Sequence, residues 1–294
     1  MTKLFTLMVL AIVCNTATAQ TDSVMVKTSQ EGDTIRIGNI IITKSGNKHD
    51  DAQKSNTHIT MGRHRHGKLS NVSTNWGIFD FGVANYNDET NYSNTGSYLY
   101  NRPGTTPLGE NDFKLRSNKS VNVNIWFFMQ RLNLIKHHVN LKYGLGLELN
   151  NYRYKSGINI SYLDQNPYLQ GQPSSPVIIR DSIQFSKNKL AADYLTVPIM
   201  LNFSTSPGNT HEGLSISVGV SAGYLYSQRN KQISAERGKQ KNKGDLNLEP
   251  FKFSYIAEVG LGPVRLYGSY SPNTFYETDL NMKPYTLGIR FSNW

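Results

Sequence analysis

Charged residues in the second half of this chain recur inside alternating apolar runs, and that spacing limits the chemistry open to them. Asp80, Lys142, Glu148, Lys252, Glu258, Arg265 and Arg290 each lie between two apolar neighbours. In an extended strand, successive side chains point to opposite faces, so each charge shares its face with polar or glycine positions. Strands wrapped around a narrow interior would bring three carboxylates and four cations together. They would then have to pair, because an isolated buried ion costs several kcal/mol. The expectation is an internal ion-pair network that fills the interior. A paired-carboxylate active site at Glu148 and Glu258 would need a shaped substrate cleft, and nothing in the sequence announces one.

Other reactive groups are sparse. The single cysteine, Cys14, sits in an N-terminal apolar run, which leaves no thiolate nucleophile, disulfide or cysteine-based metal site beyond it. The seven histidines are His49, His58, His64, His66, His137, His138 and His211. All fall in the polar N-terminal region or in short connections, away from the long loops where a histidine base acting on an external substrate would be needed. No catalytic residue, cofactor site or metal site is expected, and His64 and His66 read as solvated side chains of a basic stretch. A second charged cluster comprises Arg229, Lys231, Arg237, Lys239, Lys241 and Lys243, against Glu236 and Asp245. Read as an outer loop, it suits the phosphates of lipopolysaccharide. The formal charge of +10 agrees with a polyanionic neighbour. The export signal excludes nucleic acid as a partner.

That signal is Lys3 followed by the apolar Leu4–Val13 run and the small-x-small Ala17-Thr18-Ala19, with cleavage expected before Gln20. Residues 20–73 read as a polar periplasmic segment with a hairpin around Gly38-Asn39 and a flexible linker from Thr43 to Ser70. From residue 74 to 294 the texture is period-2 alternation. Val139 to Asn150 is the clearest case, with every odd position apolar and every even position polar, charged or glycine. No later stretch is apolar for ~18 residues, so the membrane-spanning solution open to this region is a closed barrel. Eight such strands are legible, and short and long connections alternate between them, as tight periplasmic turns and long outer loops do. The fold class expected is all-β: an eight-stranded antiparallel up-and-down transmembrane barrel, with both termini periplasmic.

Asn75-Trp76-Gly77-Ile78-Phe79-Asp80-Phe81-Gly82-Val83 resembles the first strand of the PorT-like small outer-membrane β-barrel proteins. Tyr143 to Arg153 resembles that family's third strand, and Pro250-Phe251-Lys252-Phe253 with Tyr270-Ser271-Pro272 its last hairpins. The resemblance covers the region from Trp76 onward. It implies an outer-membrane barrel without a catalytic motif, one branch of the family being associated with secretion machinery. The function expected is therefore non-enzymatic: a structural, interaction or envelope-assembly accessory role, among outer-membrane lipids and envelope protein partners. Passive or selective transport of small solutes or ions is the alternative. Inward-pointing Trp126, Phe128 and Met200 weigh against it, since eight strands leave room only for side chains.

Overall fold

The computed structural model describes residues 34–37, 40–45, 56–61 and 69–292, except 156, 158, 167, 169–175, 208–212, 262, 263 and 279. The signal segment, Gly38-Asn39, His49, His64, His66 and His211 thus lie outside the described residues. The chain divides into two compact units, Met1–Lys68 and Leu69–Trp294. In the first, β1 (Thr34–Ile37), β2 (Ile40–Ser45) and β3 (Asn56–Met61) form an antiparallel sheet in that order. β3 corrects the expectation of a linker there. Its β-branched Thr57, Ile59 and Thr60 favour a strand, a local signal masked by the polarity of their surroundings.

The second unit contains β4 (Val72–Asp88), β5 (Leu99–Tyr100), β6 (Val121–Ile135), β7 (Val139–Arg153), β8 (Ile160–Leu163), β9 (Val177–Arg180), β10 (Lys187–Ser204), β11 (Leu214–Ser234), β12 (Gly238–Asn242), β13 (Phe251–Leu261), β14 (Val264–Tyr270) and β15 (Met282–Phe291). The main sheet runs β10-β7-β6-β4-β15-β14-β13-β11-β12, and β10 also pairs with β11 along eighteen residue pairs. All these pairings are antiparallel. One face is apolar and exposed, carrying among others Phe79, Phe81, Val197, Ile199, Val220, Phe253 and Leu287. The opposite face is polar and buried: Asn122, Asn140, Lys142, Asn150, Asn202, Ser217 and Glu258 are each no more than 1 % exposed. This reversal of the usual inside-out pattern is what a lipid solvent demands.

Two irregularities set the phase. Gly77 adopts φ +65°, a conformation glycine reaches without steric cost, and the β6 pairing to β7 shifts between Trp126 and Phe128. As a result Ile78, Trp126 and Met129 turn inward as one cluster, while Phe128 packs at a tilt against the exposed Trp76. The sequence expectation had Phe128 inward. The bulge turns it outward and brings Met129 inward in its place, because an extra residue moves every later side chain to the other face. At the short-connection end, β6 turns into β7 through Lys136 (φ 46°) and His137 (φ 61°), closed by the His138 amide donating to the Ile135 carbonyl at 2.9 Å. Two successive positive φ angles match the twist of the flanking strands.

At the other end the long connections fold into a cap. β5, β9 and β8 form their own small sheet. Around it a buried cluster gathers Tyr86, Tyr98, Phe113, Tyr152, Tyr154, Tyr162, Tyr194, Phe275 and Tyr276.

Candidate functional sites inside the barrel and on its wall

The seven charged residues of the alternating runs are brought together in the interior as two groups. In the first, Arg290 donates to both oxygens of Asp80, each at 2.7 Å, and through Nη1 to Glu258 at 2.7 Å. Glu258 also accepts from Lys142 Nζ at 2.8 Å and Arg265 Nη1 at 2.9 Å, so one carboxylate binds three cations. Trp126 Nε1 (2.7 Å) and Asn124 (3.0 Å) complete the Asp80 shell. The Arg290 guanidinium lies over the rings of Trp126 at 5.2 Å and Tyr267 at 5.7 Å. The second group is the Glu148–Lys252 pair, supported by Asn150 and Thr196 donating to the carboxylate and by the Tyr194 ring beneath the ammonium. An asparagine ladder joins the groups: Asn122 donates to Asn124 and Asn150 and accepts from the Tyr267 hydroxyl.

Each position follows from strand geometry. Glu258 on β13, Arg265 on β14 and Arg290 on β15 are brought close by the antiparallel register, in which Arg265 faces Arg290. Lys142 reaches across from β7. Among the described residues, a cavity of about 30 Å³ is lined by Trp126, Glu148, Met200, Glu258, Tyr267 and Arg290. That is space on the scale of a water molecule.

Tyr152, Tyr154 and Tyr267 are buried inward, whereas Tyr224, Tyr226 and Tyr270 face outward. Tyr154, just beyond the end of β7, shares a hydrogen bond with Tyr162, which is 2.7 Å from Tyr276. Burial pushes the Tyr154 phenol up to about 12. Sequence reasoning missed this cap. Its signal was the density of aromatics (Tyr98, Tyr100, Phe113, Tyr162, Phe185, Phe275) in segments that otherwise read as polar loops.

The basic cluster after Gln228 is also not a loop. β11 continues to Ser234 and turns into β12, so four of its six residues lie on paired strands: Arg229, Lys231, Lys239 and Lys241. Two of the six are committed elsewhere: Arg229 pairs with Asp193 at 2.6 Å and Arg237 with Asp181 at 2.8 Å. Lys243 is exposed beyond β12. Lys231 instead lines up with residues the sequence did not single out. The register places Arg153 (β7), Lys189 (β10), Lys231 (β11) and Lys241 (β12) side by side on four adjacent strands. One step further out, Lys187 and Lys239 flank Ile233. Even-numbered neighbours such as Asn188 and Asn230 hydrogen-bond inside, which leaves this odd-numbered row on the outer wall. The charges crowd one another. Beyond the exposed Tyr226, where β11 has left its apolar stretch, the positive charge of Lys239 holds the Lys231 ammonium below the ordinary lysine value. Arg153 has Arg116 as a further neighbour of like charge.

An apolar outer wall around a charged, buried interior defines a membrane β-barrel. The chain belongs to the outer membrane protein beta-barrel domain family, which matches residues 68–280. It is accordingly an outer-membrane protein. Among solved structures, Ail, the attachment invasion locus protein of Yersinia pestis, crystallised in complex with the heparin analogue sucrose octasulfate, is similar at 11% identity and a TM-score of 0.26, over 74% of this chain and 98% of that chain. No curated protein sequence matches.

Proposed function

We propose that this protein is a closed eight-stranded outer-membrane barrel with a plugged interior, serving as an interaction or assembly platform of the envelope rather than as a pore or an enzyme. The observation that carries this reading is the Asp80–Arg290–Glu258–Lys142 layer, with Arg265, crossing the interior with each ion bonded to another. An ion entering would have to break these pairs in a medium too dry to replace them. The β10–β11 pairing supports closure, since it leaves each of the eight long strands with two neighbours. Closure satisfies every backbone group in hydrocarbon. The long connections, folded into the cap, face outward in this reading, and the short turns with both chain ends face the periplasm. Among the described residues of the cap there is no histidine, and this reading assigns none of its groups to nucleophilic catalysis. Within the outer-membrane barrels, the PorT-like branch is the one its strand sequences resemble, and an accessory role in envelope assembly follows from that resemblance.

Planar-bilayer recording of the purified, folded chain tests the plug. The expected trace is silent or shows rare, small events, and steady large single-channel currents would replace this reading with solute transport. Affinity capture from solubilised outer membranes, with the cap or residues 20–68 deleted in turn and the export signal kept, then assigns any partner to one end.

A further inference from the structure

We propose that the outward row Arg153–Lys189–Lys231–Lys241, with Lys187 and Lys239 above it, binds the phosphate groups of a phosphorylated glycolipid in the outer leaflet. This rests on the outward orientation of the cap described above. The position selects a lipid rather than a soluble ligand. The row lies on the wall of the barrel, on the same face as the apolar belt, not on top of the cap. On β7 it stands four residues above Leu149. That is roughly 13 Å along the strand, or about 9 Å in height at a ~45° tilt, the depth of a headgroup layer. The aromatic residues Tyr224 and Tyr226 mark the interface just beneath on β11.

Composition points to phosphate. Adjacent strands lie ~4.8 Å apart, so four cations in register span about 15 Å, wide enough to hold more than one phosphate. Among the described residues, none of these six has a carboxylate within ion-pair distance, whereas Arg229 and Arg237 beside them do. Lys189 and Arg153 are steadied by neutral partners, the Asn151 side chain at 2.6 Å and the Ser186 carbonyl at 2.9 Å. Like charges held this close repel one another, and an anion seated between them relieves the repulsion. Lysine and arginine on rigid paired strands supply charge-assisted bonds without first being ordered.

The test is lipid retention, measured by native mass spectrometry of the full folded chain released from neutral detergent. Three probes are added in turn: phosphorylated lipid A, phosphatase-treated lipid A and inorganic pyrophosphate. The unaltered chain is expected to retain the phosphorylated lipid alone. Lys189→Gln/Lys231→Gln/Lys241→Gln is expected to lose at least about tenfold in affinity, each charge-assisted bond contributing on that scale. Lys114→Gln/Lys119→Gln/Lys155→Gln, which removes the same charge elsewhere on the cap end, is expected to bind normally. If the first triple variant fails its heat-modifiable gel shift, Lys231→Gln alone takes its place with a smaller expected loss. Equal retention by row and control variants would overturn the site. Equal binding of phosphatase-treated lipid would overturn phosphate as its ligand, and equally tight binding of pyrophosphate would overturn the lipid as its source. Bilayer currents from the same samples would reject the plug while leaving the retention result standing.

Discussion

Glu258 is the residue on which the interior balance turns, because three cations converge on its two oxygens. Removing its charge leaves Lys142 and Arg265 buried with their bonded carboxylate gone. Glu258→Gln is therefore expected to cost roughly 3–5 kcal/mol of unfolding free energy in detergent, the scale for a broken buried pair. Glu148→Gln should behave similarly by stranding Lys252. Glu110→Gln breaks only an exposed pair with Lys114 and should stay within about 0.5 kcal/mol. Equal denaturation midpoints for all three would mean the interior is wet. A second expectation at this scale concerns Tyr154. Its phenol is raised by burial to about 12, so the folded state binds that proton more tightly than the unfolded state does. The resulting stabilisation is complete below the ordinary phenol value of ~10 and is lost as pH rises from there towards 12. A tyrosinate absorbance titration should show Tyr154, Tyr162 and Tyr276 silent at pH 10–11, and Tyr154→Phe should flatten part of the alkaline loss of stability.

At the scale of elements, the strand pairs differ in how closely they approach. Gly82 on β4 pairs with Gly288 on β15, and a Cβ on Gly288 would lie 2.6 Å from the Gly82 Cα and 2.7 Å from the Tyr267 ring. This glycine pair makes the room in which Tyr267 lies against Arg290. Gly288→Val should thus displace Tyr267, lower stability by roughly 1–3 kcal/mol through overpacking, and leave the apolar wall unchanged. Urea unfolding in detergent, together with Tyr267 fluorescence quenching, reads both effects. The bulge at Trp126–Phe128 acts in a different way. It lets one strand present Asn122 and Asn124 to the polar network above it and Met129 to a small apolar cluster below.

For the whole molecule, the proposed reading has two layers blocking the interior in series. The ion-paired layer crosses it between the strands, and the tyrosine-rich cap closes the long-connection end. Their independence is testable. Replacing residues 160–180 by a short Gly-Ser linker removes β8 and β9 but none of the interior charges. The shortened protein should keep its heat-modifiable shift, melt earlier, and still show no steady current in planar bilayers. A current appearing on cap removal alone would assign the seal to the cap and leave the ion pairs a purely structural part.

Sequence by itself determined the faces. Alternation of period two fixes which side of a strand each residue occupies, so it puts Asp80, Glu148 and Glu258 on the same face as Lys142, Lys252, Arg265 and Arg290. The alternation also marked the antiparallel strands of the main sheet, because a run such as Val139 to Asn150 has no other regular conformation that separates its polar and apolar residues. Tertiary structure decided what periodicity cannot express. Height along the strands, set by register, chose Glu258 rather than Glu148 as the partner of three cations. A single bulge exchanged Phe128 for Met129, since one extra residue inverts the phase and leaves almost no trace in composition. The cap stayed hidden because its aromatics are scattered through polar segments and meet only when distant connections fold together, as Tyr162 and Tyr276 do. The basic wall stayed hidden for the same reason. Arg153, Lys189, Lys231 and Lys241 are far apart in the chain, and only cross-strand register makes them neighbours.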